Sequence, residues 1–243
     1  MEFKISKLRN FLYFIYILNK SKFDFMNSKR DIKNMFKSYE LDAKKASYIK
    51  TLMTLEDEEV EKFIKEDQDF NQIVSINYQN FSSFFEENLH FLEKIKKDLE
   101  KLDNEFNYKG LDMVVSFYKS ELPSIKSIYI FLGNIDNMGR GFVKNNTIFL
   151  FPRMFKDYNY AEEDFKMFIH EFIHLMEYNS KKEIGEEREF FENVARCFAP
   201  KGILFNKEFA KENQEFWHKF VEIFESKGDI FNLYREMMNC GKH

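Results

Sequence analysis

The sequence predicts a mostly helical α+β protein, and three observations lead to that fold class. The first 109 residues contain neither glycine nor proline, the residues on which turns and bulges most often depend. Two short runs, at 127–132 and 147–151, are rich in β-branched and aromatic residues and are typical of strands. After them, apolar residues recur at helical spacing. We therefore expect an all-helical N-terminal region over 1–105 and a second region over 106–243 that holds a small antiparallel sheet.

The composition favours a folded protein and narrows its partners. The 243 residues are 44% hydrophobic and 18% aromatic, enough for one large domain or two small ones. The net charge is −4, and this balance argues against nucleic acid or an anionic membrane as a partner. Cys197 and Cys240 have the spacing of neither a zinc cluster nor a disulfide framework. Two free thiols predict a reducing compartment, the cytoplasm.

The N-terminus has the outline of a secretory signal. Lys4, Lys7 and Arg9 precede an apolar run at 11–18. The run is too short to span a bilayer, and no small-x-small cleavage site follows it. We therefore expect a buried first helix or strand, and secretion is the less favoured alternative.

Runs without helix-breaking residues predict four further helices in the N-terminal region. They cover 28–39, 41–52, 57–66 and 84–102. In the last of them the apolar residues form one stripe at helical spacing, and charged residues occupy the opposite face. One side of this helix is therefore expected to be buried and the other solvated.

The second region begins with a helix at 111–119 and continues with the two strands. A glycine-rich loop at 133–141 follows the first strand. Asn145 and Asn146, directly before the second strand, suit a tight turn. Beyond the strands, helical periodicity predicts helices over 159–178, 186–199, 206–226 and 229–239.

The helix at 159–178 carries the residues that point to chemistry. It contains the pattern His-Glu-x-x-His, at His170, Glu171 and His174, inside an apolar run. Residues four apart lie on the same face of a helix, so the two histidines can present ring nitrogens to one metal ion. Glu171 lies about 100° round the helix, beside that ion, where it can deprotonate a water molecule. A metal ion would provide a partner for three polar groups in a buried helix.

At these residues the chain resembles the zincins, the zinc metallopeptidases named for this motif. The resemblance implies that His170 and His174 are zinc ligands, with one zinc ion per chain. It implies that Glu171 is the general base in the hydrolysis of peptide bonds, with a peptide or protein as the substrate. It also implies a zincin-like core within 106–243.

The third ligand must come from beyond this helix, because a catalytic zinc normally has three protein ligands and one open position. The helix at 186–199 contains four glutamates and no histidine, which resembles the gluzincin branch. Glu192 is the first candidate. It shares a face with Ala195 and Ala199, and small residues let two helices approach closely. Glu189, one turn earlier, is the alternative.

The substrate-binding surface is less defined. By the resemblance, an edge strand from 147–151 or 139–143 would pair with the substrate backbone. His218, Tyr178 and Arg140 are candidates for the group that stabilises the oxyanion. None of them is preferred on the residues alone.

The position four residues after Glu192 departs from the pattern of one gluzincin type. Gluzincins of the thermolysin type carry an acidic residue four positions after the ligand glutamate, where it orients a histidine. This chain has Arg196 there, so the groups around its ligands must differ.

The alternative function is a non-proteolytic protein in which zinc holds helices together for interaction or sensing. A closed four-ligand site would indicate it.

Overall fold

The computed structural model is mostly helical, with one four-stranded sheet, which confirms the α+β class. It describes residues 1–18, 48–49, 51–106, 108–132, 141–152, 160–205, 211 and 213–240. The predicted helix at 28–39 and most of the one at 41–52 lie outside these residues.

Nine helices and four strands are defined in the described part of the chain. The helices are α1 (Lys7–Leu18), α2 (Asp57–Glu66), α3 (Gln68–Glu105), α4 (Lys109–Tyr118), α5 (Ala161–His174), α6 (Tyr178–Ile184), α7 (Arg188–Phe198), α8 (Gln214–Glu225) and α9 (Ile230–Cys240). A 3₁₀ turn, Leu175–Glu177, joins α5 to α6. The strands are β1 (Phe3–Lys4), β2 (Ser127–Ile130), β3 (Gly141–Lys144) and β4 (Thr147–Leu150).

The chain forms two compact units, and both are discontinuous in sequence. The first unit comprises Met1–Glu100 and Ser127–Ala161, and the second comprises Lys101–Lys126 and Glu162–His243. The chain first passes from one unit to the other after Glu100, five residues before the predicted boundary after residue 105. Strands β2, β3 and β4 belong to the first unit, with the N-terminal helices, whereas the motif helix from Glu162 onward belongs to the second.

The sheet has the order β1-β2-β4-β3 and is mixed. Strands β1 and β2 are parallel, as are β2 and β4, and only β3 and β4 are antiparallel. The expectation of an antiparallel sheet was therefore wrong. Strand β3, which follows the predicted glycine-rich loop, runs opposite to β2. The turn after β3 reverses the chain again, so β4 runs parallel to β2. The N-terminal region is also not all helical, because β1 pairs with β2.

A two-residue turn at Asn145 and Asn146 joins β3 to β4, as predicted. Both residues have positive φ, 51° and 56°, the backbone that a tight hairpin of this kind requires. Asparagine tolerates that conformation better than other residues with a Cβ. Next to the turn, the ring of Phe142 stacks on that of Phe149 at 4.5 Å between centroids.

Helix α1 packs on the sheet through polar as well as apolar contacts. The Asn10 side-chain amide donates to the carbonyl of Ile130 at 3.2 Å and accepts from the amide of Leu132 at 2.7 Å. It thereby satisfies backbone groups at the end of β2. The side chains of 11–16 are buried, which confirms a buried first helix. No helix among the described residues is long and apolar enough to cross a membrane.

Helix α3 is longer than the sequence analysis predicted. It begins at Gln68, not at residue 84. The apolar stripe continues toward the N-terminus through Phe70, Ile73 and Phe81, which are all buried. Packing thus extends the helix through a segment whose polar residues obscure its periodicity. Helix α2 begins and ends where predicted.

The second unit is held together by an aromatic cluster. Phe117 of α4, Phe198 of α7 and Phe220 of α8 have ring centroids 5.1–5.6 Å apart. All three side chains are buried, and aromatic pairs at this separation stabilise beyond the area they bury. The cluster fixes the end of α7 against α4 and α8. Helix α8 begins at Gln214, later than the predicted helix at 206–226, and part of the difference lies outside the described residues.

The positive φ angles of the hairpin turn lead to a testable prediction. Asn146→Val should lower the free energy of unfolding by roughly 1–2 kcal/mol, because a left-handed backbone is costly for a β-branched residue. Asn146→Gly should leave it unchanged or raise it. Urea unfolding followed by circular dichroism measures the difference. A valine variant as stable as the glycine variant would contradict this account of the turn.

Candidate metal centre

The two histidines of the motif converge on one point. They lie four residues apart on α5, one above the other, with their Nε2 atoms 3.0 Å apart. The ring planes are nearly perpendicular, at 89°. His170 is buried, whereas His174 is partly exposed. The helix thus directs one nitrogen from each ring to the same place.

Glu192 from α7 completes the group. Its Oε1 lies 3.5 Å from His170 Nε2 and its Oε2 lies 3.5 Å from His174 Nε2. The donor atoms of the three residues all lie within 4.8 Å of one another. Ala195, on the same face of α7, is fully buried, in keeping with a close approach of the two helices. Glu189 is exposed in the first turn of α7.

Each of the three residues is also hydrogen-bonded to a further group. His170 Nδ1 lies 2.8 Å from the carbonyl oxygen of Ala199, and His174 Nδ1 lies 2.5 Å from Glu177 Oε1. Both acceptors require a proton on Nδ1, so each neutral ring keeps the lone pair of Nε2 for the common point. Arg196 Nε donates to Glu192 Oε1 at 3.0 Å. The residue that departs from the thermolysin pattern therefore contacts the third donor.

The electrostatics favour a positive charge at this point. Hydrogen bonds from His170 and His174 hold the pKa of the Glu192 carboxyl well below its usual range. Burial opposes protonation of His174, but hydrogen bonds to Glu177 and Glu192 outweigh it and raise the pKa of His174 to about 10. In the metal-free chain the proton on His174 supplies this positive charge, and a metal ion bound at Nε2 would replace it. Two nitrogen donors and one oxygen donor are a set that zinc accepts.

Glu171 lies beside the three donors. Its side chain is 7% exposed. Burial raises the pKa of the Glu171 carboxyl, while the nearby His170 and His174 act in the opposite direction. A carboxyl with a raised pKa is better matched to proton transfer near neutral pH than an exposed one.

An apolar groove of about 240 Å³ lies close to the motif. Its lining includes Lys166, which precedes His170 by one helical turn on the same face of α5. The groove is lined by Leu102, Glu105, Phe106, Glu162, Phe165, Lys166 and Phe205. It offers apolar surface one helical turn before His170, a candidate metal ligand.

The remaining candidates are placed as follows. Tyr178 begins α6, one turn after His174, and is 68% exposed. His218 is exposed on α8. Arg140 lies outside the described residues. Strand β3, at 141–144, is an edge strand among the described residues, whereas β4 lies between β2 and β3. Of the two proposed substrate-pairing segments, the one containing β3 is therefore at the edge of the described sheet.

Two residues near the centre were missed by the sequence analysis. Glu177 is buried and hydrogen-bonded to His174, and its position three residues after a motif histidine was an available signal. Tyr118 is fully buried, and its hydroxyl has no hydrogen-bond partner among the described residues. Burial, followed by the charges of Glu177, Cys197 and Glu192, raises the pKa of Tyr118. No local pattern in the sequence marks Tyr118.

No protein-family model, curated protein or solved structure matches this chain. The resemblance to zincins therefore rests on the motif residues alone, and membership of that family stays a prediction.

Removal of Glu192 tests the third donor. The wild-type chain should bind one zinc ion. Glu192→Ala should bind it at least about 100-fold more weakly, because a lost ligand costs more than the roughly 10–100-fold of a lost outer partner. Elemental analysis and chelator competition measure content and affinity. Glu189→Ala is the matched control and should bind like wild type. Unchanged affinity in Glu192→Ala would contradict the assignment.

The Tyr118 hydroxyl, which has no hydrogen-bond partner in the described part of the chain, leads to a prediction about stability. Tyr118→Phe should raise the free energy of unfolding by about 1 kcal/mol, because it removes a buried polar group without a partner and keeps the ring. Denaturant unfolding of the metal-free protein measures it. A loss of 1 kcal/mol or more would mean that the hydroxyl has a favourable partner.

Proposed function

We propose that the protein is a zinc-dependent peptidase that hydrolyses peptide bonds with Glu171 as the general base. The observation that carries the proposal is the convergence of His170, His174 and Glu192 on one point, with Glu171 beside it. Their donor atoms lie within 4.8 Å of one another. This group supports the binding of one zinc ion per chain.

The donor count supports catalysis rather than a purely structural zinc. The group formed by the described residues has three members, and a zinc ion with three protein ligands keeps a position open for water or substrate. The Glu192 side chain is 36% exposed and that of His174 is 20% exposed, so solvent reaches this side of the group. A closed four-ligand site would favour the zinc-stabilised interaction or sensing protein instead.

The proton transfers belong to Glu171. His170, His174 and Glu192 would hold a zinc ion, which would supply the Lewis acidity needed to polarise the scissile carbonyl and acidify a water molecule. Glu171 removes a proton from the water, and the water oxygen attacks the carbonyl carbon. As the carbon–nitrogen bond breaks, Glu171 returns the proton to the leaving amine. The raised pKa of the Glu171 carboxyl suits both the gain and the loss of this proton.

The substrate class follows from the resemblance of the motif to zincins, which supports a peptide or protein. The apolar groove lined by Lys166 and Phe165, one helical turn before His170, provides a place for an apolar side chain of a substrate. The net charge of −4 argues against nucleic acid. We also propose a cytoplasmic location, supported by Cys197, a buried free thiol.

Replacing Glu171 tests the mechanism. Glu171→Gln should bind zinc like wild type and lose hydrolysis by about 10²–10⁴-fold, because glutamine keeps the shape but cannot accept the proton. The assay is cleavage of a mixed peptide library read by mass spectrometry, with and without a zinc chelator. Glu163→Gln, exposed on the same helix, is the control and should cleave normally.

The possible outcomes separate the two functions. Full cleavage by zinc-loaded Glu171→Gln would rule out Glu171 as the base. Zinc bound tightly by the wild-type chain, with no cleavage of any library peptide, would favour the zinc-stabilised interaction or sensing protein.

A further inference from the structure

The Glu177 side chain lies behind His174 and has two different partners. It is 1% exposed. One oxygen, Oε1, lies 2.5 Å from His174 Nδ1, and the other, Oε2, lies 2.8 Å from the Lys181 ammonium nitrogen. Both oxygens are therefore engaged away from the point where the three donors converge. The carboxylate supports a ligand and is not itself one of the three donors.

The 3₁₀ turn explains how Glu177 reaches His174. Helix α5 ends at His174, and Leu175–Glu177 winds more tightly before α6 begins at Tyr178. In a 3₁₀ helix, side chains three residues apart lie directly above one another. The tighter turn therefore aligns the carboxylate with the imidazole.

Lys181 holds the carboxylate from the other side. It follows Glu177 by four residues, one turn along α6, where an ion pair forms readily. Its ammonium nitrogen also lies 5.3 Å from the ring centre of Phe191, and Phe191 is the neighbour of Glu192 on α7. Lys181 thus links the support of His174 to the helix that carries the third donor.

The groups that accept hydrogen bonds from the two histidine rings differ in charge. His170 is held by a neutral carbonyl, that of Ala199, whereas His174 is held by a carboxylate. A hydrogen bond to a charged acceptor is roughly twice as strong as one between neutral groups. A carboxylate on Nδ1 also makes the opposite nitrogen a better donor to a metal.

We propose that Glu177, held by Lys181, is a positioning residue that fixes the ring orientation and tautomer of His174 and so strengthens metal binding at the centre. The inference rests on the proposed function only in that the metal is bound by His170, His174 and Glu192. It adds two residues that the motif does not contain: a carboxylate that holds the metal-binding histidine, and a lysine that holds the carboxylate.

The experiment compares zinc affinity in Glu177→Ala, Glu177→Gln and Lys181→Met. Chelator competition should show zinc binding weakened about 10–100-fold in Glu177→Ala, the range typical of a lost outer partner. Glu177→Gln keeps an acceptor but not the charge and should lie between the alanine variant and wild type. Lys181→Met should weaken binding less than Glu177→Ala. Glu183→Gln, exposed on α6, is the control and should match wild type.

A second readout separates positioning from stability alone. The visible spectrum of the cobalt-substituted protein reports ligand geometry and should change in Glu177→Gln but not in Glu183→Gln. Zinc affinity and a cobalt spectrum equal to wild type in Glu177→Gln and Glu177→Ala would overturn the inference and leave the peptidase proposal standing. If Glu177→Ala does not fold, the glutamine variant decides. A wild-type chain that takes up no zinc would overturn both.

Discussion

The Nε2 atoms of His170 and His174 lie 3.0 Å apart, and the candidate metal centre depends on this contact. Two neutral rings with their protons on Nδ1 would bring two lone pairs together, which is unfavourable unless a proton or a metal ion is held by both nitrogens. The second unit therefore has to hold the two rings at this separation. It does so with acceptors on both Nδ1 atoms and with a carboxylate, Glu192, on the opposite side.

Apolar packing provides the rigidity that this arrangement needs. The aromatic cluster of Phe117, Phe198 and Phe220 fixes the end of α7, and the next residue, Ala199, presents its carbonyl to His170. Gly202 then approaches the end of α7 so closely that a Cβ there would lie 1.9 Å from the carbonyl oxygen of Cys197. The core of the unit therefore positions the Ala199 carbonyl, which accepts the hydrogen bond from His170.

Exposure differs among the acidic groups in a way that suits their proposed roles. Glu177 and Glu171 are buried, whereas Glu192 is partly open to solvent. A buried carboxylate with two partners is a rigid support. A buried carboxyl with a raised pKa, as at Glu171, suits the proposed proton transfer. The three carboxyl groups are therefore placed in three different environments.

The sequence by itself determined what depends on local spacing: the α+β class, the buried first helix and the helix that aligns His170 with His174. Helical periodicity acts over three or four residues, so these features can be read without a partner segment. The tertiary structure decided the mixed sheet, because an extra strand reverses the chain. It also decided the approach of Glu192 and the acceptors at Ala199 and Glu177. Local spacing made Glu192 and Glu189 candidates and placed Glu177 three residues after His174, but which of these side chains reaches the histidines depends on how helices end and pack against each other.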